Sequence, residues 1–161
     1  MDAIKLLESH HDDVDALFAK FARARSDEER LETFNALADL LIAHSAIEER
    51  IFYPAVYDGE LEEQLGDALR EHESMKRLIV QMLDLEPSDP RWGVKLKELQ
   101  DEVENHVGEE EDELFPLVRQ TVDKRELDGL AEAMEELFED LMGGSPHDEI
   151  QQGDEAPAYL S

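Results

Sequence analysis

The feature that most narrows the fold is a pattern that occurs twice. Its first copy is His44-Ser-Ala-Ile-Glu48-Glu49-Arg-Ile-Phe52-Tyr53-Pro54, and its second is His106-Val-Gly-Glu-Glu110-Glu111-Asp-Glu-Leu114-Phe115-Pro116. In each copy an acid pair follows the histidine by four and five positions, an aromatic by nine and a proline by ten. A lone histidine lies upstream of each: His11 stands 33 residues before His44, and His72 stands 34 before His106. Val14, Leu17 and Phe18 after the first answer Met75, Leu78 and Ile79 after the second. The chain therefore reads as a duplicated unit of about 61 residues, each copy holding one lone His and one HxxxE.

Histidine and glutamate four apart lie one turn apart on one helix face, so both reach a common centre. The apolar stripe of the second segment runs Phe34, Leu37, Leu41, His44, Glu48, Ile51; that of the fourth runs Leu96, Leu99, Val103, His106, Glu110, Leu114. The first gives Ile4, Leu7, His11, Val14, Phe18, and the third Leu65, Ala68, His72, Met75, Ile79. Ionisable groups thus interrupt the core-facing stripe of four amphipathic helices. An isolated buried carboxylate costs several kcal/mol or becomes neutral. Cations held between two carboxylates and four imidazoles explain the pattern most simply.

No stretch shows sustained period-2 alternation, so the expected class is all-α. A first helix spans about 2–24, and Ser26-Asp-Glu-Glu29 forms a capping box that opens a second reaching about Tyr53. The third spans about 60–86, and the fourth opens at Asp89-Pro90 and runs to about Thr121. Short connections predict an up-down-up-down four-helix bundle over 1–122. An accessory C-terminal helix follows over 123–142, which covers one end of the bundle or serves as a dimerisation face, giving a monomer or a homodimer. Residues 143–161 read as an acidic flexible tail, with His147 at the surface. His44 and His106 precede their turn prolines by ten residues, while His11 and His72 lie about a dozen after their helix starts. An antiparallel bundle places all four in one layer.

Length and charge bound the rest. The 161 residues suit one domain, and 43 acids against 15 bases give a net charge of −28. That balance argues against nucleic acid and anionic membranes as partners, since both demand basic patches. The absence of cysteine removes disulfides, thiolate metal sites and iron–sulfur clusters. The N-terminus shows no apolar signal region, and no run is long and apolar enough to cross a bilayer, so the expected location is cytoplasmic.

His11, His44-x3-Glu48, His72 and His106-x3-Glu110, with the Phe-Tyr-Pro and Leu-Phe-Pro endings, resemble the hemerythrin-like family of HHE cation-binding domains over residues 1 to about 120. The resemblance implies two iron ions in a non-haem di-iron centre. By that analogy His11 and His44 ligate one iron, His72 and His106 the other, and Glu48 and Glu110 bridge them, with an oxo, hydroxo or water ligand completing the site. The oxygen-carrying members have a fifth histidine four positions after the lone His of the third helix; here that position is Lys76. One iron then lacks a protein ligand or takes it from His10, Glu49, Glu111 or Tyr53, or from water. Four-histidine members look more like enzymes or sensors of oxygen, peroxide or nitric oxide than carriers.

The metal ligands expected are therefore His11, His44, Glu48, His72, His106 and Glu110, with no catalytic residue assigned. His10 reads as a supporting or surface residue, Glu49 and Glu111 as rotated outward, and Tyr53 as packing at a helix end. Three functions stay open: a redox enzyme of catalase-like or oxidase type, a module that senses or reversibly binds oxygen, nitric oxide or iron, and a structural metalloprotein.

Overall fold

The computed structural model describes residues 1–152, and among the described residues every regular element is helical. The elements are α1 (Ala3–Phe21), α2 (Asp27–Ile47), α3 (Tyr53–Val56), α4 (Glu62–Leu83), α5 (Pro90–Glu109), α6 (Phe115–Thr121), α7 (Lys124–Gly143) and α8 (Pro146–Gln152). A π-helical turn, Glu48–Phe52, joins α2 to α3, and another, Glu110–Leu114, joins α5 to α6. The bundle's four long rods are thus α1, α2 with α3, α4, and α5 with α6.

Short polar side chains start the helices. Asp2 accepts from the Lys5 N–H, Ser26 from Glu29, Asp89 from Arg91 and Asp123 from Arg125. In the box at Ser26, the Glu29 carboxylate accepts from the N–H of Arg25, one residue ahead of the cap. Asp2 also receives the Arg119 guanidinium at 3.0 Å, which ties the start of α1 to α6.

The two π turns depart from the plain α-helices expected from the sequence. A proline removes one i→i−4 bond and crowds that carbonyl. Both widened turns end just before one, with Pro54 and Pro116 at the starts of α3 and α6. The Tyr53 N–H reaches the Glu48 carbonyl and the Phe115 N–H reaches that of Glu110, each five residues back.

Two apolar clusters fill the bundle. One holds Ile4, Leu7, Ile47, Phe52, Leu65 and Phe115; the other holds Val14, Phe18, Phe34, Met75, Trp92 and Val103. On each rod the histidine or HxxxE pair falls between the residues of these clusters, so the ionisable layer is capped above and below by hydrocarbon. The fifth long helix, α7, lies along α1 and α2 and buries Leu127, Ala131 and Met134 in its own chain.

The segment expected as a flexible tail differs over its described part. It forms α8, which docks on α2 and α4 through Ile150, packed with Ile42 and Val80. His147, expected at the surface, donates its backbone N–H to Asp39 at 2.8 Å and pairs with the same carboxylate through Nδ1 at 2.6 Å. Residues 153–161 lie outside the described residues. Ile150→Asp would place an unpaired carboxylate in this contact. Amide exchange across 146–152 should then accelerate roughly tenfold or more, while α1–α7 keep their protection; unchanged exchange would show that Ile150 does not hold α8.

Candidate metal centre

All six residues singled out from the sequence meet in the layer between the apolar clusters, each no more than 5% exposed. His11, His44, Glu48 and Glu110 form one group able to hold a metal ion, and Glu48, His72 and His106 form a second, with ligand atoms within 4.8 Å of one another in each. Glu48 belongs to both. Its Oε1 lies 3.4 Å from His44 Nε2, 3.1 Å from His72 Nε2 and 3.8 Å from His106 Nε2. Glu110 Oε1 stands 3.3 Å from His11 Nε2 and 3.4 Å from His106 Nε2.

His72 Nε2 and His106 Nε2 lie 3.2 Å apart, but most of the other inward atoms lack hydrogen-bond partners. His11 Nε2, His44 Nε2, both Glu48 oxygens and Glu110 Oε1 are buried and unsatisfied. Native proteins leave few such groups, and five converging here mark a place built for a cation. The cluster fits a metal site.

Each of the four histidines presents Nε2 to the centre and Nδ1 to a second residue. His11 Nδ1 meets Glu111 at 2.7 Å, His72 Nδ1 meets Glu49 at 2.9 Å, and His106 Nδ1 meets Glu71 at 2.7 Å. His44 Nδ1 meets His10 Nδ1 at 3.1 Å. Such partners fix ring orientation and tautomer and strengthen the donor. Glu49 and Glu111 are rotated off the central face as expected, but that rotation aims each at a histidine on another helix. The Glu49 side chain is only 8% exposed and that of Glu111 35%.

Glu71 was not legible as a participant, yet the repeat carried a signal for it. It precedes His72 as His10 precedes His11, and the two do equivalent work, Glu71 on His106 and His10 on His44. His10 is itself buried, stacked on Phe138 of α7 with ring centroids 4.3 Å apart. Tyr53 also does more than pack. Its hydroxyl donates to Glu110 Oε2 at 2.6 Å, and its ring stacks on His72 at 5.7 Å.

The charges of the layer compensate one another. Burial pushes the His11 imidazolium down, but hydrogen bonding and attraction from Glu110 outweigh it and lift the group to about 9. Burial likewise opposes charge on His106, and the Glu110 charge with bonds to Glu48 and Glu71 carries it well above the usual imidazole value. Glu48 is held well below the carboxylate range, its desolvation outweighed by His44 and its other neighbours. Burial beside His44 drives His10 down to about 3, so it stays neutral. Burial, followed by the Glu110 and Glu48 charges, keeps the Tyr53 phenol protonated far above its normal value.

These shifts set a pH dependence for the metal-free chain. A group raised in the folded state gives its full stabilisation below its unfolded pKa and loses it as pH passes the folded one. For His11 that window runs from the ordinary value of 6.5 to about 9. Metal-free protein should lose on the order of 2 kcal/mol between neutral pH and pH ~10, read by urea unfolding. Constant or rising stability across that range would contradict the charge assignment.

Among the described residues, two hollows approach the centre. A cleft of about 80 Å³ between α4 and the α5–α6 rod is lined by Asp67, Glu71, Glu109, Glu113, His106 and Glu110, among others. A recess of about 10 Å³ beside His72 is lined by Leu41, Ile42, Met75, Ile79, Ser45 and Lys76. Lys76 thus shares this recess with His72.

Comparison with known proteins agrees with this architecture. The chain is 26% identical over 147 residues to a DNA nickase of Nostoc sp., a match covering 89% of this chain but only 42% of that protein's length. A crystal structure of a hemerythrin HHE cation-binding domain-containing protein from Mycobacterium kansasii superposes with a TM-score of 0.81 at 25% identity, covering 99% of this chain and 97% of the other. The hemerythrin HHE cation-binding domain matches residues 2–118. With most of its length matched and its buried imidazoles and carboxylates gathered in one layer, the chain belongs to the hemerythrin HHE cation-binding domain family.

Proposed function

We propose that this protein holds two iron ions in a carboxylate-bridged centre and uses them to handle oxygen, peroxide or nitric oxide. The observation that carries the reading is the convergence of unsatisfied Nε2 and carboxylate oxygen atoms in a buried layer. Imidazole and carboxylate together suit iron, and two anionic bridges offset the charge of two adjacent cations. His11 and His44 would hold one ion, His72 and His106 the other, with Glu48 and Glu110 shared between them.

Iron bound here would supply redox chemistry at an exchangeable coordination position. The residues of the chain supply the rest. Glu111, Glu49 and Glu71 hold the rings of His11, His72 and His106, and neutral His10 holds that of His44. Tyr53 fixes Glu110 by donating to one oxygen, leaving the other to face His11 and His106. With both carboxylates shared, each ion would have two imidazoles and two carboxylate oxygens, and Lys76 stands where a further imidazole one turn after His72 would add a ligand, which favours an open position on that side. An open position favours turnover or sensing over a reversible oxygen or iron store, the second reading. The nickase relative suggests no change, because a net charge of −28 repels a phosphate backbone.

Elemental analysis of iron-reconstituted chain should give two ions, and one or none would overturn the proposal. Glu48→Ala and Glu110→Ala should each abolish the paired-metal optical and magnetic signature. Glu49→Ala and Glu111→Ala should keep it but weaken metal affinity roughly 10–100-fold, because each removes only a support of a ligand histidine. Equal damage from the inner and outer pairs would put the ligand assignment out of register.

Lys76→His tests the open position. An imidazole one turn after His72 should close it, slowing peroxide consumption and lengthening the life of any oxygen adduct at matched iron content. A variant indistinguishable from the parent in both measurements would sink the idea.

A further inference from the structure

The cleft between α4 and the α5–α6 rod connects solvent with the centre. At its outer end stand the exposed side chains of Asp67, Glu109 and Glu113, and at its inner end His106 and Glu110. Glu71 lies between, half-buried, its Oε1 on His106 Nδ1 at 2.7 Å. The acids continue into an adjoining hollow of about 330 Å³ lined by Asp67, Glu71, Glu102 and Glu109, where Arg70 is the one base. Arg70 is 71% exposed and pairs with Asp67 at the rim.

Acidic residues alone are no site, but this cleft ends on a group that calls for a ligand. Glu110 is 2% exposed, and its Oε1 has no hydrogen-bond partner. Among the described residues, the ligand atoms of three or more groups converge around the centre, and the outer acids belong to neither set. Spaced in this way, they raise the local concentration of a cation without chelating it. A cleft lined by one sign of charge raises on-rates by roughly 10- to 1,000-fold.

The other approach has the opposite chemistry. The recess beside His72 is mostly hydrocarbon and, at about 10 Å³, barely admits one water. A hydrated divalent cation finds no carboxylate and no room there, and the charged side chain that lines it, Lys76, is a base. On the α1–α2 side, Phe138 of α7 lies over His10.

We propose that the α4/α5–α6 cleft is the route by which divalent cations reach the centre, with Asp67, Glu109 and Glu113 gathering the ion and Glu110 drawing it inward. The inference rests on the two-metal reading above. It gives Asp67 and Glu113 a role that ligation does not require.

Stopped-flow mixing of metal-free full-length chain with Co²⁺ at low ionic strength, followed by cobalt absorbance, tests it. Asp67→Asn/Glu113→Gln should slow uptake roughly three- to tenfold, and Glu113→Lys should slow it further. The final cobalt content should equal that of the parent, and the difference should shrink at ~0.5 M salt. Glu28→Gln/Glu32→Gln removes the same charge from exposed positions on α2 and should leave the rate near the parent's. Equal slowing in both double variants, or none in the first, overturns the route while leaving the centre intact. Failure of the parent chain to bind any cobalt instead removes the centre, and the route with it.

Discussion

The structure depends on burying two carboxylates, Glu48 and Glu110, at 0% and 2% exposure in the middle of a helical bundle. Desolvating a carboxylate costs several kcal/mol even after relaxation, and nothing apolar returns it. The imidazoles that surround the pair arrive on all four rods, so the helices must align at one level. The caps at Asp2, Ser26 and Asp89 and the prolines after each widened turn set that level, because they fix where each rod begins or ends. Apolar clusters on either side bury the layer and hold the rods in register.

Burial gives the outer contacts their importance. In a low-dielectric layer a charge-assisted bond orients its partner more firmly than in water. Glu111, Glu49 and Glu71 each take the far nitrogen of one histidine, which leaves the near nitrogen aimed at the centre. The fourth histidine, His44, has a neutral imidazole instead of a carboxylate. His44 is therefore the one of the four whose outer partner is not a carboxylate. The repeat is chemically asymmetric at this pair, and Tyr53 adds to the asymmetry by donating its hydroxyl to Glu110 at 2.6 Å.

The same asymmetry extends to the surface. α7 covers α1 and α2, and α8 closes over α2 and α4. The face between α4 and the α5–α6 rod keeps its hollows, lined by acids. A bundle made from two similar halves thus acquires a covered side and an accessible side because of the segment after residue 122, which the repeat does not contain.

Sequence alone determined the class of fold, the four rods and all six central residues. The reason is that helix periodicity is local: an ionisable group on an apolar stripe is visible at spacings of three and four without knowing what it faces. The duplicated spacing then placed the four histidines in one layer. What periodicity reports is the face of a helix, and it is silent about the neighbour across from that face. Glu49 and Glu111 therefore read as rotated outward, whereas tertiary packing turned that rotation toward His72 and His11. Glu71, Tyr53 and His10 drew their roles from residues 35, 57 and 34 positions away, separations at which no local pattern operates. The docking of α8 was hidden for the same reason, since Ile150 is a lone apolar residue in an acidic stretch until Ile42 and Val80 meet it.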